Sequence, residues 1–137
     1  MREFISGKLV IASNNDGKIL EFREILKVFG IQIFSNKDFN ISEPIEDGNS
    51  FKENAYIKAF NTASKTKLVS LSDDSGIGFK ALNGRPGIRS ARYAGEKKDF
   101  ALAMKKLNED LKFKDDKSCK FTCALCLCWP DGYNITV

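Results

Sequence analysis

Leu9-Val10-Ile11-Ala12-Ser13-Asn14-Asn15-Asp16-Gly17-Lys18 is the stretch that decides the fold class. Leu9 to Ala12 is a short apolar run of the kind that forms a buried strand. It breaks into Ser13 to Gly17, a cluster of turn formers. From Lys18 the period changes. Ile19, Phe22, Ile25, Leu26 and Phe29 recur at three- and four-residue steps, the stripe of an amphipathic helix, and Gly30 stands where a C-cap belongs. Ile31 to Phe34 restarts a strand. Strand, loop, helix, strand is the opening of an α/β domain.

Working outward, a polar loop carries Glu43, Glu46, Asp47 and Gly48. Ser50-Phe51-Lys52-Glu53 then reads as a capping box, with Ser50 as N-cap and Glu53 reaching back to it. The helix it starts has Phe51, Ala55, Ala59 and Ala63 on one stripe, small residues that permit close packing. Leu68 to Leu71 predicts a strand that runs into Ser72-Asp73-Asp74-Ser75-Gly76, two acids at a strand end followed by a turn. Ile77 to Leu82 predicts a short strand, Asn83 to Gly87 a loop, and Phe100, Leu102, Ala103, Leu107 and Leu111 a surface helix. Lys117 to Trp129 predicts a long strand, and Tyr133 to Val137 a last one that stops as it begins.

The chain has 137 residues, 42% hydrophobic and 29% charged, which suits one folded domain and neither disorder nor a fibrous class. No repeat, low-complexity tract or linker marks a boundary. Twenty-two Lys and Arg against 18 Asp and Glu leave a net charge of +4, suited to an anionic small molecule and weak support for nucleic acid. There is no histidine, which excludes Ser-His-Asp triads, Cys-His dyads and His-bearing zinc sites in this chain. Acid–base chemistry falls to carboxylates, lysines, tyrosines or cysteines. The N-terminus has no apolar signal core, and the longest apolar run, Cys123 to Trp129, is too short to span a bilayer. The expectation is a cytoplasmic protein with free thiols. Its four cysteines, Cys119, Cys123, Cys126 and Cys128, lack paired metal-site spacing, and as a strand they divide between two faces.

Four constellations could carry chemistry. Ser13 to Lys18 puts backbone amides and a lysine at a helix N-terminus, where phosphate is attracted, although a capped helix explains the segment as well. It is not a Walker A loop, because the first glycine and the Lys-Ser/Thr ending are missing. Asp73-Asp74 offers hard oxygen ligands of the kind Mg²⁺ takes together with substrate phosphates, against the alternative of a simple turn ending a strand. Asn54 and Lys58 share one helix face beside Glu53, a cleft wall or a solvated surface. Arg85, Arg89 and Arg92, in the Gly84–Gly95 loop, could clamp an anion or be surface charge. Together they describe a phosphoanhydride site without histidine.

Ser13-Asn14-Asn15-x-x-Lys18, Glu46-x-Gly48-x-Ser50-Phe51-x-Glu53-Asn54-Ala55, Asp73-Asp74-Ser75-Gly76 and Gly84-x-Pro86-Gly87-x-x-Ser90-Ala91-Arg92-Tyr93-x-Gly95 occur in that order. The set resembles the inosine/xanthosine triphosphate pyrophosphatases over nearly the whole chain. The resemblance implies an elongated, two-lobed α/β fold with a mixed, twisted sheet flanked by helices. It implies a single nucleotide pyrophosphatase domain over 1–137, a homodimer, no membrane or nucleic-acid partner, and Mg²⁺ as cofactor. Its activity would be hydrolysis of ITP, dITP and XTP to the monophosphate and pyrophosphate, by water attacking the α-phosphorus.

Carried over residue by residue, Ser13, Asn14, Asn15, Asp16, Gly17 and Lys18 would cradle the triphosphate. Asp74 would be the catalytic acid group and a metal ligand, and Ser75 would touch the substrate. Glu46 would be the second metal ligand, preferred over Glu43, while Asn54 and Lys58 would line the cleft. The family continues with Gly-Phe-Gly-Tyr-Asp-Pro and Ser-His-Arg segments that hold the base. Neither occurs before Val137, so the resemblance describes a domain incomplete at its C-terminus. The alternatives are a non-catalytic nucleotide-binding remnant and the related septum-associated nucleotide pyrophosphatases, which share the fold and favour other bases.

Overall fold

The protein is described as a computed structural model covering residues 1–95 and 97–137. The opening stretch folds as its period dictates. Strand β1 (Lys8–Ile11) leads into helix α1 (Asp16–Leu26), extended by a 3₁₀ turn over Lys27–Phe29 that Gly30 ends in the left-handed region. Strand β2 (Gln32–Ser35) returns parallel to β1. Helix α2 (Phe51–Thr66) is followed by β3 (Val69–Phe79), the short helix α3 (Ser90–Tyr93), helix α4 (Phe100–Leu111), β4 (Cys119–Cys128) and β5 (Asn134–Thr136). The sheet order is β2-β1-β3-β4-β5, parallel through its first three strands and antiparallel beyond. This is the mixed α/β sheet expected.

The two faces of the sheet carry different chemistry. On one, Leu9, Ile11, Val69 and Trp129 pack with Ile19, Phe22 and Leu26 of α1. On the other, Ala55 and Ala59 of α2 lie against Ala124, Cys126 and Cys128 of β4. The alanine stripe is wholly buried, so a side chain larger than methyl there has no room. Buried Ser70 and Ser72 of β3 donate their hydroxyls to the carbonyls of Ala59 and Ala55. The match is geometric, because two strand residues rise about 6.6 Å and four helix residues about 6 Å. The next residue on that face is Asp74.

Two expectations are corrected. The aspartates do not end a strand. β3 runs unbroken through Asp73-Asp74-Ser75-Gly76 and absorbs the short strand expected from Ile77, giving way to a 3₁₀ turn at Lys80–Leu82. What ends is its parallel neighbour, since the last β1–β3 pair is Ile11 with Leu71. Beyond it no strand pairs with β3 on that edge among the described residues. The Gly84–Ser90 segment bonds to it only from Ile77 on, through Ser90 Oγ at Ile77 and a bridge from Pro86 to Gly78, while β4 pairs with it to Phe79 and supplies the hydrogen bonds that keep it extended. Second, Glu53 does not bond back to Ser50. Its amide donates to Ser50 Oγ at 3.1 Å, but its carboxylate accepts from the Asn49 amide at 2.7 Å. The last strand expected, at Tyr133 to Val137, forms as β5, and Val137 exchanges both backbone hydrogen bonds with Leu125.

The cysteines divide as the strand alternation requires, Cys119 and Cys123 exposed, Cys126 and Cys128 buried against α2. Burial raises both inner thiols, and Cys128 is pushed up to about 12. At pH 8 almost none of Cys128 is then a thiolate, the reactive form. An aromatic disulfide reagent should titrate two thiols quickly in the native protein and the other two only on unfolding. Four equal rates would contradict this packing.

Candidate active site

Because β1 stops at Ile11 while β3 continues, the end of β1, the start of α1 and the middle of β3 border one cavity of about 1030 Å³. Ser13, Asn15, Lys18, Glu43, Glu46, Lys58, Asp73, Asp74 and Ser75 line its polar end. Phe79, Phe100, Met104, Leu107, Leu111 and Phe121 line its apolar end.

Successive strand residues point to opposite faces, so the adjacent aspartates meet different partners. Asp73 Oδ2 accepts from Lys18 Nζ at 2.8 Å and from Ser75 Oγ at 3.1 Å. Asp74, on the α2 face, has Lys58 Nζ 3.5 Å from its Oδ1, and the same ammonium lies 3.3 Å from Glu46 Oε2. Lys58 is thus held between two carboxylates with 9% of its side chain exposed. Its charge is what lets two acids, Asp74 buried and Glu46 one-third exposed, stand side by side. Burial pushes the Glu46 carboxyl above its ordinary 4.5, Lys58 pulls it down, and Asp74 adds to the rise. Asp74 Oδ2 is buried with no hydrogen-bond partner among the described residues. A buried carboxylate oxygen left without a donor is costly and marks a place where a proton, a cation or a ligand hydrogen belongs.

The residues of the first loop separate by role. Asn15 caps α1, its Oδ1 accepting from the Lys18 amide at 3.2 Å. Asp16 and Gly17, the first residues of the helix, have amides with no intrahelical partner. The Asp16 carboxylate turns outward to Lys37 at 2.6 Å. Ser13 Oγ accepts from the Asn15 amide at 3.0 Å. Asn14, Asp16 and Gly17 lie outside the cavity lining; Asn14 donates its Nδ2 to Ile41 O at 3.1 Å and its amide to Glu43 Oε1 at 3.0 Å. Glu43 therefore serves the loop, while Glu46 faces Lys58.

Two further placements differ from the sequence reading. Asn54 does not line the cleft. It is buried, and its Oδ1 accepts from the Gly48 amide at 2.9 Å, fixing the loop that carries Glu46. A Cβ on Gly48 would come within 2.7 Å of that oxygen, which is why the position is glycine. Nor do the three arginines converge on the cavity. Arg85 Nε donates to Leu82 O, Arg92 Nη2 donates to Glu46 O at 2.8 Å, and Arg89 lines a separate cleft. The apolar wall from α4 escaped the sequence reading. The periodicity of α4 was legible, but not which element its apolar side would face.

The fit to a divalent cation can be judged from the donors. Among the described residues no cluster of three or more Asp, Glu or Cys gathers to bind a metal unaided. Mg²⁺ characteristically takes one or two carboxylates and completes its shell with water and substrate phosphates. Glu46 and Asp74, sharing one cation already and leaving Oδ2 unpartnered, fit that demand.

Comparison with known proteins points the same way as the four motifs. The chain is 50% identical over 135 residues to a dITP/XTP pyrophosphatase of Zymomonas mobilis, covering 96% of this chain and 65% of that protein. It is 46% identical over 138 residues to one of Bradyrhizobium diazoefficiens, covering 97% and 65%. The chain thus spans just under two thirds of the length of these curated relatives. Its structure superposes on a HAM1 protein from Coxiella burnetii with a TM-score of 0.85 at 34% identity, covering 94% of this chain and 68% of that one. The Staphylococcus aureus Ham1 protein gives 0.82 at 35%, covering 94% and 67%. The model of the Ham1 family matches residues 9–137, and with the sequence, the sheet and the relatives in agreement, this chain belongs to that family.

Proposed function

We propose that the protein hydrolyses non-canonical purine nucleoside triphosphates, dITP, XTP and ITP, to the monophosphate and pyrophosphate. The observation that carries the reading is the Glu46–Lys58–Asp74 group, with its unpartnered carboxylate oxygen, facing the lysine-bearing start of α1 across one cavity. The names of the relatives supply the substrate class. Glu46 and Asp74 would hold Mg²⁺, which when bound supplies charge neutralisation to the phosphates.

The chain's own residues do the rest. The Lys18 ammonium, at the positive end of α1, holds phosphate oxygens with Ser13 and Asn15 beside it on the cavity wall, and the Ser75 hydroxyl contributes from β3. Asp74 Oδ2 accepts the proton of a water whose oxygen bonds to the α-phosphorus. The bond from that phosphorus to the bridging oxygen breaks, and pyrophosphate leaves with the electron pair. No histidine or nearby cysteine offers a covalent route among the cavity-lining residues. The reading includes a homodimer working in the cytoplasm. Among the described helices none is long and apolar enough to cross a membrane.

The product distinguishes this reaction from its neighbours. With dITP and Mg²⁺, pyrophosphate should form in equal amount to dIMP, and orthophosphate only after a pyrophosphatase is added. Orthophosphate released directly from the γ-position would overturn the reading.

A further inference from the structure

We infer that Arg92 is a positioning residue, tying the Glu46 backbone across to α3 so that the Glu46 carboxylate is held opposite Asp74. The inference rests on the proposed role of Glu46. Residues 41–48 form no regular element, so side chains must fix the path of this backbone. Asn14 takes Ile41 O at one end of the segment and Asn54 takes the Gly48 amide at the other. Between them, the Arg92 guanidinium donates to the carbonyl of Glu46 itself, at 2.8 Å.

Arg92 starts from a fixed base. Ser90 Oγ accepts from the Ile77 amide at 2.9 Å and donates to Gly87 O at 2.6 Å, which seats the start of α3 on β3. The seating is close enough that a Cβ on Gly76 would come within 2.6 Å of Ser90 Oγ. At the far end of α3, Tyr93 donates to Asp110 of α4 at 3.3 Å. The arm therefore spans from one wall of the cavity to the loop that forms another. Arg92 does not line that cavity but a smaller cleft with Arg89, Lys106, Glu109 and Asp110. A direct phosphate clamp would need the opposite placement.

The test uses Arg92→Ala, Arg92→Lys, and Arg89→Ala as a neighbour whose side chain makes no hydrogen bond to the loop among the described residues. Amide exchange over residues 43–48 should accelerate in Arg92→Ala, recover in Arg92→Lys and stay at the wild-type rate in Arg89→Ala. Mn²⁺ titrated calorimetrically into nucleotide-free protein should bind about tenfold more weakly to Arg92→Ala, the lower range for losing a hydrogen bond from a charged donor at an exposed site. The KM for nucleotide at saturating cation should not move. Unchanged exchange in a folded Arg92→Ala protein would overturn the inference. So would a raised nucleotide KM with unchanged Mn²⁺ affinity, which would make Arg92 a substrate contact. If wild-type protein neither binds Mn²⁺ nor releases pyrophosphate, the proposed function fails, and the exchange rates still decide whether Arg92 holds the loop.

Discussion

Asp74→Asn should lower turnover by about a thousandfold or more and leave the melting temperature close to that of the parent. The change keeps the side chain's size but removes a charge proposed to hold the cation and the oxygen proposed to take the proton. General-base contributions alone are about 10²–10⁴-fold, and a lost metal ligand compounds them. The amide also gives the site a donor beside Lys58, where only acceptors stand now. Asp73→Asn makes the control. Asp73 holds Lys18 and Ser75 on the other face of the strand, so its loss should act on the KM for nucleotide, by about tenfold, more than on kcat. Steady-state kinetics on both variants, with melting curves beside them, decide the matter. Equal, small losses at the two positions would mean that neither acid takes part in the chemistry.

Lys58→Ala should be the most destabilising of the site changes. Removing one partner of a buried ion pair leaves uncompensated charge and costs roughly 3–5 kcal/mol. The distances of 3.3 and 3.5 Å place this case at the lower figure, roughly 10 °C of melting temperature for a chain of this size. Two conditions should return part of the loss. Mg²⁺ should stabilise the variant more than the parent, because in the parent the ammonium already satisfies both acids. Acid should do so as well. Burial holds the folded Glu46 carboxyl above its ordinary 4.5, and without Lys58 nothing opposes that rise. A group bound more tightly to its proton when folded favours folding below the unfolded pKa and loses that contribution as pH climbs through the folded one. The gap between variant and parent should therefore be smallest near pH 4.5 and widen toward neutrality. Differential scanning at several pH values, with EDTA or Mg²⁺, measures both effects. A gap independent of pH and metal would show that Lys58 is a packing residue and no more.

What could be read from the sequence was whatever local period controls. The switch from an apolar run to a three-and-four stripe gave β1 and α1, Ser50 gave the start of α2, and alternation gave the two faces of β4. The acids were legible as a pair, but not their environment. A Ser-Asp-Asp-Ser-Gly run has the composition of a turn, and it stays extended because β4 pairs with it from Ser70 to Phe79. That partner lies some fifty residues away and leaves no local trace. Asn54 shows the same limit. Its spacing to Lys58 marks a helix face, yet the Gly48 amide, out of sight of any helical period, draws its carboxamide inward. The arginines of the Gly84–Gly95 loop were visible as charge, and only the folded chain shows that one of them holds a carbonyl instead of an anion.

The neighbouring aspartates of β3 carry a meaning beyond their chemistry. A pleated strand is an alternating code, and here one letter assigns Asp73 to the lysine of α1 while the next assigns Asp74 to the lysine of α2. The two ion pairs are separated by the thickness of a single backbone, so two acids adjacent in sequence are neutralised by lysines from two different helices. The same arrangement makes the count of residues along β3 as consequential as their identity. Shift the frame by one position and the serines that anchor the strand to α2, together with the acids, would trade sides at once. The segment is thus an address in which position, as much as side chain, spells out which carboxylate does which task.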